Sequence, residues 1–426
     1  MIQVSLLREF KDKAIAGLRK RNYSNQRISI LDKILVLDDQ RKQAQFELDQ
    51  VSSELNKAAA AIGSLMKSGQ KDEAEKLKSN VADMKSKKAE LDAKLKSTQS
   101  DLEKKLLSVP NIPHESVPEG KTPEDNFLFQ KWSKELPELP NNAVPHWELA
   151  KKYNIFDLEL GTKLTGAGFP VYRGKGARLQ RALINFFLDQ AIAAGFEEIQ
   201  PPLMVNKASA RGTGQLPDKE AQMYYVKGDD FYLIPTAEVP VTNIYRDEIL
   251  ETAHLPIKMT AYTPCFRREA GSYGAHVRGL NRVHQFDKIE VVVIEHPEKS
   301  YQTLQTMLAH VSGLLDKLEL PYRILHLCGG EMGFASASTY DFEVWSAAQQ
   351  MWLEVSSVSN FETFQTNRMK LRYRDADKKI QLAHTLNGSA LALARIVAAL
   401  IENNQTPDGI VMPEVLRKYT GFDILN

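Results

Sequence analysis

Between residues 30 and 107 the chain has no proline, and its apolar side chains return every three and four positions. Ala44, Leu48, Val51, Leu55, Ala58, Ile62 and Leu65 keep one register. KSGQK then places Gly69 as a break. A second register follows through Ala74, Leu77, Val81, Met84, Lys88, Leu91, Leu95, Thr98 and Leu102. Lys88 and Thr98 are weak seam residues, but the spacing holds. A period near 3.5 residues is that of a coiled coil. Two such helices joined by one short turn predict an antiparallel hairpin. At a rise of about 1.5 Å per residue each limb is on the order of 50 Å long. So narrow a seam gives little core of its own, and the hairpin is expected to project as an arm.

The second limb concentrates positive charge: Lys76, Lys78, Lys85, Lys87, Lys88, Lys94, Lys96, Lys104 and Lys105. A solvated coiled-coil surface with intrahelical ion pairs accounts for this, and so does contact with a phosphate backbone. The pattern leaves both open. No global field decides between them, since the formal net charge of the 426 residues is only +1. With 43% hydrophobic residues a large core is available, and the length suggests two or three domains. The two cysteines, Cys265 and Cys328, provide neither a disulfide framework nor zinc spacing. The charged N-terminus has no signal-peptide core, and no apolar run approaches 18 residues. A cytoplasmic protein without a membrane anchor is expected.

The arm ends at SVPNIPHESVPEGKTPEDN, where Pro110, Pro113, Pro118 and Pro123 prevent regular structure. The expected division is therefore an N-terminal domain over 1–110, with its arm at about 30–107, and a second domain over 111–426. The linker falls at about 108–126. In the second domain RLQRALINFFLDQAIAAGF reads as an amphipathic helix closed by Gly195. Short β-prone runs recur at FYLIP, IEVVVI, YRILHL and YDFEVW. Helices and antiparallel-looking strands without a βαβ rhythm predict an α+β fold. Neither G-x-G-x-x-G nor GxxxxGK[ST] occurs, so Rossmann and P-loop nucleotide sites are not indicated.

Three constellations in this second domain carry chemistry. CFRREAGSYGAHVRGLNRVHQFDKIE gathers Arg267, Arg268, Arg278 and Arg282 among Glu269, Asp287 and Glu290, with glycines between them. It predicts a charged hairpin, and period two puts Phe286, Lys288 and Glu290 on one strand face. In NGSALALARIVAALIENN, Asn387-Gly388-Ser389 reads as a helix start and Arg395 as the lone charge of an otherwise apolar helix. Such an arginine requires an anion, from a protein carboxylate or a ligand phosphate. Arg267, Arg278 and Arg395 together could hold a polyphosphate, with Phe286 as a ring for a base. Thr236 and Glu238 read as the end of an apolar strand, and Glu354 and Ser356 as one face of another. With Glu290 these carboxylates could bind an amine or Mg²⁺.

GFEEIQPPLMV, FRRE…HQFDKIE and NGSALALAR resemble, in order, the three motifs of class II aminoacyl-tRNA synthetases. GTGQLP, MYYV, PTAE, FRREAG, RGLNRVHQFDKIE, YDFEVW, EVSSVSNFETFQTNRM and HTLNGS are similar to those of bacterial-type seryl-tRNA synthetases, over essentially the whole chain. The family commonly has glycine where this chain has Ala390 and Ala394. The resemblance implies an antiparallel-sheet catalytic domain behind an N-terminal antiparallel α-helical coiled-coil arm. It implies an ATP-dependent serine–tRNA ligase that forms seryl-adenylate and transfers serine to tRNA(Ser), with tRNA(Sec) as a further substrate where present. It implies a homodimer as well. Carried over position by position, L-serine is expected at Thr236, Ala237, Glu238, Arg267, Glu290 and Ser389. ATP is expected at Arg267, Arg268, Glu269, Val283, Phe286, Glu354, Val355, Ser356, Ser357 and Arg395. Mg²⁺ is expected at Glu354 and Ser357, and Arg267, Glu290 and Arg395 are the expected catalytic residues. The glycine-containing loop between the two strands is expected to close over ATP and the acceptor end of tRNA.

Overall fold

The computed structural model describes residues 1–139, 143–218, 221–270 and 278–426. The chain divides into two compact units. One comprises Ile2–Arg19 with Tyr23–Pro110, and the other comprises Met1, Lys20–Asn22 and Asn111–Asn426.

In the first unit two helices, Ile30–Lys67 and Lys71–Ser108, each run for 38 residues. They pair along the anticipated seam: Ala44, Leu48 and Val51 pack with Leu91 and Leu95, and Leu55 and Met84 extend the contact. Gly69 turns the chain at φ +79°, a backbone angle that favours glycine. Lys76, Lys85, Lys87, Lys94 and Lys96 are exposed and enter no ion pair among the described residues, whereas Lys78 and Lys104 pair with Glu75 and Asp101.

The second unit is built on eight strands: β1 (Phe127–Gln130), β2 (Glu197–Glu198), β3 (Ile257–Phe266), β4 (Gln285–Glu295), β5 (Tyr322–His326), β6 (Ser338–Ser346), β7 (Met351–Glu362) and β8 (His384–Ala392). Their order is β1-β5-β6-β7-β8-β4-β3-β2. Every pairing is antiparallel except β2 with β3. Helices Gly174–Ala193, Ser300–Lys317 and Leu393–Asn403 pack against this sheet. Alternate residues of β4 go to different cores: Ile289, Val291 and Val293 to the larger, Val292 and Ile294 to a second that includes Ala237, Met259 and Leu371. From Lys288 onward the strand is buried, so any charge it carries there must be met by protein groups. Both cysteines are buried free thiols. No described helix is long and apolar enough to cross a membrane.

Two expectations fail locally. Asn387-Gly388-Ser389 does not start a helix: it lies inside β8, and the helix begins at Leu393. Pairing with β4 on one side and β7 on the other overrides the helix-forming Ala-Leu run. Glu238 does not end a strand either: the strand stops at Leu233, and Glu238 opens the short helix Glu238–Thr242.

Two glycines give opposite expectations for stability. Gly63 sits inside an arm helix, four residues before its end at Lys67, with nothing within 4 Å of a built Cβ, so Gly63→Ala should stabilise by about 0.5–1 kcal/mol. A Cβ at Gly176 would lie 2.1 Å from the Ile155 carbonyl oxygen, so Gly176→Ala should destabilise by about 1–3 kcal/mol. Circular-dichroism melts of the two variants should shift in opposite directions from the native curve.

Candidate active site

Strand β4 enters the site with a lysine and a glutamate that are both buried. Lys288 Nζ lies 2.6 Å from Glu290 Oε2, with side chains 6% and 0% exposed. Thr236 bridges them: its hydroxyl donates to Glu290 Oε2 at 2.9 Å and accepts from Lys288 Nζ at 3.0 Å. It also accepts from the Glu238 amide at 3.2 Å. Asn387 Nδ2 donates to Glu290 Oε1 at 2.9 Å and to Glu238 Oε2 at 3.0 Å. Gln365 Nε2 donates to Glu238 Oε1 at 2.6 Å, and Thr385 holds Gln365 in turn. One lysine thus faces two buried carboxylates. Glu238 enters no ion pair among the described residues. Burial, with Glu290 adding to it, pushes its carboxyl up to about 7, against the pull of Gln365, Lys288 and Arg267.

Beside this acidic pocket lie the arginines. Arg267 stands 5.2 Å from the Phe286 ring and donates to the Pro235 carbonyl at 3.4 Å. Glu269 has φ +47° and pairs with Arg282 at 2.9 Å. Arg395 donates to the carbonyls of Asn281 at 2.8 Å and Glu354 at 2.6 Å, with the Glu354 carboxylate 3.8 Å away. Burial pushes its guanidinium down from its usual value, and Glu354 pulls it back. The protein therefore meets this charge partly with a carboxylate, one of the two anions expected for it. Arg268 leans over Tyr224 at 5.7 Å. Arg278 does not join the cluster expected of it. It stacks on Trp147 at 4.6 Å and approaches Glu148 at 3.5 Å, and Arg282 takes its place near Arg395.

The third group sits on β7, where a bulge changes which residues share a face. Glu343 opposes Glu354 but Phe342 opposes Ser356, leaving Val355 as the extra residue. Ser356 is turned inward, donating to the Ser389 carbonyl at 2.6 Å. Ser357, opposite Asp341, returns to the face of Glu354. The expectation that Glu354 and Ser356 share a face is corrected: Glu354 and Ser357 do. Asp341 Oδ1 is buried without a hydrogen-bond partner, and burial together with Glu354 holds that carboxyl well above its usual range. Three oxygen-bearing side chains thus converge, a donor set that suits a hard cation.

Ala237, Val283 and Val355 are buried apolar side chains. Ser389 opposes Glu290 across the β4–β8 pair. Gly271, Gly274 and the remainder of 271–277, where the loop was expected to close, lie outside the described residues. Sequence reasoning did not assign site roles to Lys288, Asn387, Gln365, Arg282 or Asp341. Lys288 had a usable signal, since it precedes Glu290 by two positions on a buried strand. Asp341 and Gln365 lie within YDFEVW and EVSSVSNFETFQTNRM, which carry the resemblance, but only the fold shows what each of them faces.

Residues 224–404 match a family model described as the tRNA synthetase class II core domain (G, H, P, S and T). Residues 1–113 match the seryl-tRNA synthetase N-terminal domain. The serine–tRNA ligase of Salinibacter ruber is 53% identical over 395 residues, 92% of each chain. That of Chlorobaculum parvum is 45% identical over 428 residues, all of both chains. A crystal structure of seryl-tRNA synthetase from Pyrococcus horikoshii complexed with ATP superposes with a TM-score of 0.91 at 33% identity, covering 100% of this chain and 99% of that one.

The raised carboxyl of Glu238 has a sign-definite effect on stability. Burial holds the folded group at about 7, above the ordinary glutamate value of 4.5. Between those values the folded state binds more protons, so this group's contribution falls as pH rises and is flat above about 7. Glu238→Gln should remove that slope. Compared in urea at pH 5 and pH 8, the variant should lose less stability than the native chain, by up to about 3 kcal/mol.

Proposed function

The chain belongs to the seryl-tRNA synthetase family and is an ATP-dependent serine–tRNA ligase, and we propose that its buried carboxylates take the amino acid while its arginines take the nucleotide. The observation that carries this division is the charge imbalance around Thr236. Lys288 answers Glu290, and Glu238 has amide donors but no ion-pair partner among the described residues. An ammonium group completes the set, and serine supplies one. Glu290, Thr236 and Ser389 then surround its hydroxyl, with Ala237 as part of the apolar wall. Arg267 is the residue that both substrates reach. It holds serine's carboxylate against the α-phosphate, with its guanidinium over Phe286.

Phe286 offers a face for adenine, and Glu269 accepts from its amino group. Arg268 and Arg395 meet the outer phosphates. Val283, Val355 and Ser356, whose side chains point into the protein, contact nucleotide through their backbone. Glu354 and Ser357 would hold Mg²⁺, which when bound neutralises phosphate charge. In the first step a carboxylate oxygen of serine forms a bond to the α-phosphorus as the bond to pyrophosphate breaks. In the second a hydroxyl of the terminal adenosine of tRNA attacks the acyl carbon and AMP leaves. The protein contributes chiefly position and fixed charge. The arm's unpaired lysines grip tRNA(Ser), and tRNA(Sec) where it exists. The protein works as a cytoplasmic homodimer, in which the arm of one subunit serves the site of the other.

Serine-dependent exchange of pyrophosphate into ATP tests the amino-acid half of this reading. A site that hydrogen-bonds a hydroxyl rejects an analogue lacking it by about 10⁴–10⁵ in favourable cases, because its polar groups are left unpaired. Glu290→Gln should narrow the preference for serine over alanine by at least about tenfold. An unchanged preference would show that the hydroxyl is read by other groups. Removing residues 56–82 and closing the shortened limbs with a Gly-Ser turn should leave exchange intact. Charging of tRNA(Ser) should fall and lose part of its salt dependence, since phosphate contacts release counterions.

A further inference from the structure

The chain returning from residues 271–277 meets a short helix, His146–Tyr153, residue for residue. Arg278 stacks on Trp147 at 4.6 Å and approaches Glu148. Gly279, at φ +69°, passes so close to His146 that a Cβ would lie 2.1 Å from Nε2. The Leu280 amide donates to the same Nε2 at 2.8 Å. His146 is fully buried, and its other ring nitrogen lies 2.6 Å from Glu402 Oε1. A backbone N–H can only donate, so Nε2 carries the lone pair and Nδ1 the proton, which it gives to Glu402. Glu402 is also buried and is held by Gln349, Ser346 and the His146 backbone amide.

Glu402 stands near the C-terminus of helix Leu393–Asn403, which carries Arg395 in its first turn. The helix therefore holds the returning chain twice: through His146 to Leu280, and through Arg395 Nε to the Asn281 carbonyl. Gln349 adds a third tie, accepting from Asn281 Nδ2 at 2.8 Å while donating to Glu402. The next residue, Arg282, pairs with Glu269. We propose that His146, backed by Glu402, is a positioning residue for ATP: by accepting from the Leu280 amide it sets the height at which Asn281 meets Arg395 and Arg282 meets Glu269. The proposal rests on the assignment of Glu269 and Arg395 to the nucleotide. It predicts an effect centred on ATP, because Thr236, Glu238, Glu290 and Asn387 form no hydrogen bond with residues 278–284 among the described residues, and the serine side meets this segment only through the Arg267 amide on the His284 carbonyl.

Three variants of the full chain test it in pyrophosphate exchange, with ATP and serine titrated separately. His146→Leu removes the acceptor. Gly279→Ala leaves His146 and Glu402 in place and pushes the segment away, so it decides the matter even where His146→Leu does not fold. His146→Gln offers Oε1 to the Leu280 amide. Misplacement by about 1 Å can cost on the order of 10²-fold. His146→Leu and Gly279→Ala should therefore lose roughly 10- to 100-fold in kcat/KM for ATP, with the KM for serine nearly unchanged. His146→Gln should recover most of the loss. A merely structural role would lower the melting temperature without separating the two substrates. Native ATP kinetics in folded Gly279→Ala, equal impairment by leucine and glutamine at 146, or parallel rises in both KM values would overturn the proposal. Arg395→Ala, measured alongside, separates the two levels. Unchanged ATP kinetics there overturn the nucleotide assignment and this proposal together, whereas an impaired Arg395→Ala beside a native-like Gly279→Ala overturns this proposal alone.

Discussion

Lys288 and Glu290 form an ion pair inside a strand buried on both faces, and the site is arranged around the need to satisfy it. Two charges removed from water lose several kcal/mol each unless contacts replace the solvent. Thr236 supplies one set and Asn387 another. Because Asn387 reaches Glu238 as well, satisfying the pair also fixes the second carboxylate. Strand β8 must sit beside β4 to present Asn387, and the turn after Leu233 must bring Thr236 across. The architecture of the pocket follows from where a buried lysine and glutamate can find partners.

The arm was legible almost to the residue, because a heptad repeat is a local signal and the seam alone holds the outer part of the hairpin. Ala44, Leu48, Val51, Leu91 and Leu95 meet as their spacing required. In the second unit, the β4 hairpin was legible from its alternation. Two irregularities were not. The register slips between Lys288 and Glu290 against β8, and again at Val355 on β7. A one-residue bulge inverts every later face assignment, and nothing in EVSS marks it. For the same reason Ser356 was assigned to the face of Glu354 when it lies on the other. Asn387-Gly388-Ser389 was misread because Ala and Leu favour helices locally, while two neighbouring strands decide the outcome.

The arginines show a different limit. Composition could say that Arg395 needed an anion, and it could not say which. The structure provides two carbonyls and a carboxylate at 3.8 Å. That distance leaves the guanidinium held in place without being neutralised at close range. Arg278 and Arg282 are equivalent by spacing, and only the position of Trp147 separates them. The stack on Trp147 takes one out of the cluster and leaves the other facing Glu269.

The Thr236 hydroxyl is saturated. Its single proton goes to Glu290, and both lone pairs are taken, by Lys288 and by the Glu238 amide. A newcomer can engage this oxygen only by displacing one of the three. At this oxygen, occupation is then an exchange reaction, in which one polar contact leaves for each that arrives. Its balance is set by the likeness of guest and host groups rather than by the number of contacts made. The rotor is already aligned by the three partners it has.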